Sequence, residues 1–173
     1  MRSARSRAPA DAQRAHDPDA AREAALRLLE RTRRTRSDLA RRLKDKGYAV
    51  AVIEQTLDRL AAVGLVDDLE YACAFVRSRA TRRGSGRRRI EQELRARGVG
   101  PEDVARAFEQ ALEEGASPDE TEGARRVLAQ VERRYRGLDP RTRRQRLYAL
   151  LMRRGFERGA IEAALRLPVG EDE

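Results

Sequence analysis

The sequence has one cysteine, Cys73, one histidine, His16, and no tryptophan among its 173 residues. A single thiol excludes a disulfide scaffold and a cysteine-based zinc site, and it fits a reducing compartment. The only imidazole stands in a polar N-terminal stretch, so neither a Ser-His-Asp nor a Cys-His arrangement is expected. Aromatic residues are 4 % of the chain, which leaves few platforms for stacking nucleobases. No apolar run approaches the ~18 residues that a membrane helix needs. The start of the chain, Met1-Arg2-Ser3-Ala4-Arg5-Ser6-Arg7, is basic, but no hydrophobic segment follows it, so no secretion signal is expected. The expected location is the cytoplasm.

What the chain has is charge. Charged residues make up 39 % and apolar residues 40 %, enough of the latter for a thin core. There are 38 basic residues, all arginine except Lys44 and Lys46, against 29 acidic ones; the net charge is +9 and the pI about 10.8. A chain this basic attracts polyanions or acidic protein faces.

Apolar residues recur at spacings of three and four, as in Leu39 and Leu43, or Ile53, Leu57 and Leu60. No segment alternates in the manner of a strand, so the fold class is all-α. Ser37, Ser85 and Asp139 with Pro140 are the expected starts of three helices, and Gly47, Gly98 and Gly155 their ends. Pro101 and Asp103 start another helix, Asp67-Asp68 a further one, and Gly64 and Gly137 close two more.

Aligning Gly47, Gly98 and Gly155 exposes an internal repeat. Eight residues earlier stand Leu39, Ile90 and Leu147; four earlier, Leu43, Leu94 and Leu151. One residue later stand Tyr48, Val99 and Phe156; six later, Ile53, Val104 and Ile161; ten later, Leu57, Phe108 and Leu165. All fifteen are apolar. An apolar pair upstream (Leu28-Leu29, Phe75-Val76, Val127-Leu128) adds a third helix to each copy. The chain therefore reads as three tandem three-helix repeats in an elongated, curved arrangement, at 19–63, 64–114 and 119–168. Residues 1–18 read as a mobile basic tail and 169–173 as an acidic end. Units this small and poor in aromatics bury little surface alone, so stacking on neighbours should supply part of the stability. The simpler alternative is a single helical bundle whose glycines coincide by chance.

Charge follows the repeat. Segments 31–46, 77–97 and 133–158 carry net charges of +6, +7 and +8, whereas 47–72 and 99–123 carry −4 and −7. The second helix of each unit, with the loop before it, is basic; the third helix is neutral to acidic. Helix–Gly–helix pairs resemble DNA-reading helix-turn-helix units, but the acidic third helix argues against major-groove reading. A repeated basic ridge suits a repeating anionic target. The densest patch surrounds Gly84-Ser85-Gly86, and the helix starting there has amide groups suited to an anion. Tyr48, Phe108 and Phe156 fall at core positions, Cys73 reads as packed, and no set of residues assembles a nucleophile, a base and an oxyanion hole.

The middle repeat resembles a known family. Gly64-Leu65-Val66-Asp67-Asp68, then Tyr71-Ala72, Phe75-Val76-Arg77-Ser78-Arg79, Arg88-Arg89-Ile90-Glu91-Gln92-Glu93-Leu94-Arg95 and Gly98-Val99 form an ordered signature similar to that of the RecX regulators. The likeness extends more loosely over 20–167. It implies an all-helical, non-enzymatic protein without cofactor that lies in the groove of the RecA–DNA filament. Such a protein inhibits strand exchange, ATP hydrolysis and co-protease action, and so restrains DNA repair and the SOS response. The implied partners are the RecA filament and single- or double-stranded DNA, met directly or through the filament, with no membrane and a monomeric chain. The signature does not say which residues make contact. The exposed arginines are the candidates: Arg77, Arg79, Arg82, Arg83, Arg87, Arg88, Arg89, Arg95 and Arg97. The alternative is an autonomous DNA-binding helical module that acts without RecA.

Overall fold

The structure is a computed structural model that describes residues 13–82, 84–114 and 119–166. After a helical turn at 13–15, the described residues hold α1 (Pro18–Arg31), α2 (Arg36–Asp45), α3 (Val50–Ala62), α4 (Asp68–Arg82), α5 (Arg87–Arg95), α6 (Pro101–Glu113), α7 (Glu120–Tyr135), α8 (Pro140–Arg153) and α9 (Arg158–Arg166). They contain no strand, so the fold is all-α as expected. No helix among them is long and apolar enough to cross a membrane. Of the segment read as a tail, 1–12 lies outside the described residues, as does the acidic end. Residues 13–18 belong to the fold: the Ala49 amide donates to the Ala15 carbonyl at 2.8 Å, and Asp17 caps α1.

The repeat glycines end helices for a definable reason. Gly47, Gly98 and Gly155 all have positive φ, at 91°, 79° and 84°, the left-handed conformation that glycine adopts without penalty. At two of them the full C-terminal motif is formed. Gly47 and Tyr48 donate to the Lys44 and Leu43 carbonyls, at 2.9 and 3.2 Å; Gly155 and Phe156 donate to Met152 and Leu151, at 3.0 and 3.2 Å. Folding back in this way brings the residue after the glycine onto the residue four before it. That is why both positions are apolar in every copy. Fourteen of the fifteen aligned residues are buried, and Leu165 is half-buried.

Two expected helix starts are displaced. The N-cap of α2 is Thr35, whose hydroxyl accepts from the Asp38 amide at 3.1 Å, while Ser37 lies inside the helix. The N-cap of α5 is Gly86, not Ser85, and no side chain of its own caps it. Asp139 caps α8 as expected, accepting from the Thr142 amide at 3.0 Å.

Backbone proximity divides the chain into two compact units, the boundary falling within α4. The first runs through Tyr71 and adds Arg97–Val99. Its core joins Ala21 and Ala25 of α1, Leu39 and Leu43 of α2, and Ile53, Leu57 and Leu60 of α3, with Tyr48 and Val66. The second holds Ala72–Ala96 and everything described from Gly100 on. Within it, α4 and α6 lie side by side: Cys73 Sγ is 2.9 Å from Gln110 Oε1, and Arg77 Nη1 is 2.8 Å from Glu114 Oε2. Partners four apart on both helices mean that the two run in the same direction. A separate cluster in this unit packs Val127 and Leu128 of α7 against Leu151, Phe156 and Ile161.

Bonds between equivalent positions recur at successive repeats, though one donor changes from a hydroxyl to a backbone amide. In the first unit, the Thr35 hydroxyl donates to the Arg97 carbonyl at 2.7 Å, and the Arg36 amide donates to Asp68 Oδ1 at 2.8 Å. In the second, the Gly86 amide donates to the Arg154 carbonyl at 2.9 Å, and the Arg87 amide donates to Glu120 Oε1 at 2.6 Å. Counted from their repeat glycines, Thr35 matches Gly86, Arg36 matches Arg87, and Arg97 matches Arg154. Asp68 and Glu120 each open the first helix of a repeat. The start of a second helix is thus completed by the following repeat.

Candidate functional site

The candidate arginines among the described residues lie on the second half of α4 (Arg77, Arg79, Arg82), on α5 (Arg87, Arg88, Arg89, Arg95) and in the turn after α5 (Arg97). Arg83 lies outside the described residues, and Arg82 is described in its backbone only. The arrangement of α5 follows from its sequence. Ile90 and Leu94, four apart, are fully buried and set the inward face of the helix. Arg87, Arg88, Arg89 and Arg95 are exposed, while Arg77, Arg79 and Arg97 are half-buried.

Most of these cations already have carboxylate partners. Arg77 meets Glu114, with Nη1 at 2.8 and 3.1 Å from its two oxygens. Arg79 bonds Glu93 at 2.8 Å, with its guanidinium 4.8 Å from the centre of the Phe75 ring. Arg87 bonds Glu91 at 2.9 Å, four residues along its own helix, and lies 4.5 Å above the Phe108 ring. Arg89 bonds Glu93 at 3.2 Å. Arg97 lends its carbonyl to Thr35. Arg88 and Arg95 are exposed and make no ion pair among the described residues. The middle segment is therefore far less free in charge than its +7 suggests.

The start of α5 is not open to an anion. The Glu120 carboxylate occupies it, taking the Arg87 amide on Oε1 at 2.6 Å, and its Oε2 accepts the Glu157 amide at 2.9 Å beside the start of α9. The Arg88 amide goes to the Gly155 carbonyl at 3.1 Å. One carboxylate thus serves two helix starts, where it also favours the helix dipoles. Burial pushes the Glu120 carboxyl above its ordinary range, and the two amides offset this only in part. In the first unit, Asp38 has the opposite balance. Burial pushes it up, but hydrogen bonds from Arg42, Arg41 and Arg34 prevail and hold it at about 2.

The third repeat differs. Arg143 bonds Glu132 at 3.1 Å, and Arg144 reaches the Leu165 carbonyl at 3.3 Å. Arg133, Arg134, Arg136, Arg141, Arg146, Arg153, Arg154 and Arg158 meet no carboxylate among the described residues. Of these, Arg153 and Arg154 share a cleft with Arg79, Ser85, Arg89 and Glu93. Neither is among the nine candidate arginines. The sequence does carry a signal for Arg154: a basic residue stands immediately before each repeat glycine, as Lys46, Arg97 and Arg154. Among the described residues no group of three or more His, Cys, Asp or Glu could hold a metal ion.

Comparison with known proteins matches this organisation. Family models described as the first, second and third three-helix domains of RecX match residues 21–60, 67–107 and 119–165. A regulatory protein RecX of Thermobifida fusca is 43 % identical over 149 residues, covering 84 % of this chain and 77 % of its own. That of Halorhodospira halophila is 38 % identical over 157 residues, covering 90 % and 92 %. A crystal structure of regulatory protein RecX superposes with a TM-score of 0.78 at 29 % identity, covering 87 % of this chain and 73 % of that one. RecX from Lactobacillus salivarius, at 19 % identity and a TM-score of 0.76, shares the fold and covers 86 % and 94 %. With all three domains matched in order, and relatives spanning most of its length, this chain belongs to the RecX family of regulatory proteins.

Proposed function

We propose that this protein binds the RecA–DNA filament and inhibits the recombinase, its ATP hydrolysis and its co-protease action, thereby modulating DNA repair and the SOS response. The observation that carries the reading is the match to all three RecX domains. The protein acts in the cytoplasm without enzymatic turnover or cofactor, as a monomer built of repeats at 19–63, 64–114 and 119–168. Binding rather than chemistry suits an arginine surface with no catalytic group assembled among the described residues. Among the candidate contacts, Arg88 and Arg95 support the reading best, because both are exposed and make no ion pair among the described residues.

The test follows ATP hydrolysis and strand exchange by RecA on single-stranded DNA as the protein is added. Inhibition at stoichiometric amounts is expected. No effect on either reaction would overturn the reading. Binding to naked and RecA-coated DNA without preference would favour the autonomous DNA-binding module.

A further inference from the structure

The cleft formed by Arg79, Ser85, Arg89, Glu93, Arg153 and Arg154 is built from the second and third repeats within one compact unit. Its walls are fixed by backbone. The Gly86 amide donates to the Arg154 carbonyl at 2.9 Å, and the Arg88 amide donates to the Gly155 carbonyl at 3.1 Å. Glycine permits this approach: a Cβ on Gly155 would lie 2.4 Å from the Arg89 nitrogen, and one on Gly86 would lie 2.3 Å from the Phe156 nitrogen. The start of α5 and the end of α8 are therefore locked together, and the side chains leaving them share one space. Arg154 is half-buried, with Nη1 3.6 Å from the position of a Cβ on Gly84.

The lining offers donors and little else. Both oxygens of Glu93 are engaged, one by Arg79 at 2.8 Å and the other by Arg89 at 3.2 Å. The guanidiniums of Arg153 and Arg154 meet no carboxylate among the described residues. Four guanidiniums and a hydroxyl around one occupied carboxylate call for a further anion with several acceptor oxygens. Two cations from the end of one helix, beside a third from the start of another, suit the oxygens of a phosphate. No aromatic residue lines the cleft, so bases have nothing to stack on. On α8, Arg146 stands seven residues before Arg153 and also meets no carboxylate among the described residues. That spacing is two turns, about 10.5 Å along the same face. Cations in line suit a polymer charged at every unit.

The geometry points to this cleft as a direct binding site for a nucleic-acid phosphodiester backbone, independent of base sequence. It deepens the preceding reading by naming a contact that this chain makes with the nucleic acid itself, and it is tested without the recombinase. Binding of the full chain to fluorescent oligothymidylate is measured by anisotropy over a range of KCl concentrations. Arg153→Gln with Arg154→Gln should reduce the slope of log K against log salt by about 1.4, two phosphate contacts at roughly 0.7 each. Ser85→Glu, which sets a carboxylate among the guanidiniums, should weaken binding likewise and provides a second variant should the double substitution fail to fold. Arg22→Gln with Arg59→Gln removes the same charge from exposed positions elsewhere and should leave the slope unchanged. An equal slope in the cleft variant, or an equal fall in the control, would overturn the proposal. So would undiminished binding of Ser85→Glu, or polyglutamate displacing the oligonucleotide at equal charge concentration, which would mark the cleft as a site for acidic protein. A wild-type chain that shows the salt dependence but leaves RecA uninhibited would defeat the filament reading and leave the cleft standing.

Discussion

The backbone amide of Arg87 donates to Glu120 Oε1 across 2.6 Å, bridging 33 residues of sequence. The bond places a carboxylate from one repeat on the first amide of a helix in the repeat before it. With no side-chain cap on Gly86, α5 depends on this distant group. Removing it leaves two amides unpaired, those of Arg87 and Glu157. Glu120→Ala should lower stability by about 2 kcal/mol, taking about 1 kcal/mol for each lost cap. Glu120→Gln, which keeps one carbonyl acceptor, should cost less. Urea unfolding of the two variants against the wild type measures both.

The pH dependence of stability should carry two opposed contributions. Asp38 titrates at about 2 in the fold, against 3.8 ordinarily. A carboxyl held down in this way stabilises above its ordinary value, and the gain is lost as pH falls through the folded value. The melting-temperature gap between wild type and Asp38→Asn should therefore be full above about pH 4 and close toward pH 2. Glu120 is shifted upward from 4.5, so its share of stability falls as pH rises from that value through the folded one. That decline should be absent in Glu120→Gln. Thermal melts across the acid range resolve the two.

Glycine substitutions should separate turns that need space from turns that need only conformation. Gly155→Ala meets a positive φ of 84° together with backbone 2.4 Å away, and should unfold the third repeat or cost several kcal/mol. Gly64 has φ 72° but nothing within 4 Å of an added Cβ. Its change to alanine should cost about 1 kcal/mol, the left-handed penalty alone. Gly137 has open space and no positive φ, so alanine there should be neutral or slightly stabilising. Chemical denaturation orders the three.

Apolar residues of one type should differ by position. Leu94 is fully buried and Leu112 is 69 % exposed. Leu94→Asp should unfold the middle repeat by burying an unpaired charge, whereas Leu112→Asp should change stability by no more than about 0.5 kcal/mol. Circular dichroism and thermal melting decide the matter.

The adjacent arginines at the start of α5 should divide in the same way. Arg88→Ala removes an exposed side chain without an ion pair and should leave melting unchanged. Arg87→Ala removes both the pair with Glu91 and the stacking on Phe108, and should cost about 1 kcal/mol. A contiguous run of three arginines reads in sequence as uniform surface, and the melting temperatures should show that it is not.

How much was legible depended on the range of the interaction. The glycine register was legible because the helix ending is local: at Gly47 and Gly155 the chain folds back within six residues, and the apolar pair beside the glycine recurs in all three copies. Pairs four apart on one helix, such as Arg87 with Glu91 and Arg89 with Glu93, were equally available. The helix starts were not. Ser37 and Ser85 are good local caps by residue type, but Thr35 stands two residues earlier, and Glu120 arrives from another repeat. The same holds for the charge. Arg77 and Glu114 are 37 residues apart, so the middle arginines looked freer than they are. The cleft is not legible in the sequence because Arg89 and Arg154 come to line one space only through the close passage of Gly86 and Gly155.

The three second helices begin in three different ways, and this gives the array a polarity. The first draws on Thr35 and on Asp68 of the next repeat. The second has a bare glycine and borrows both Glu120 and the Gly155 carbonyl from its successor. The third brings its own aspartate, Asp139. The copies are therefore not interchangeable. Exchanging the second and third, or excising the third, would strand the amides of α5, so the order of the modules is written into their hydrogen bonds.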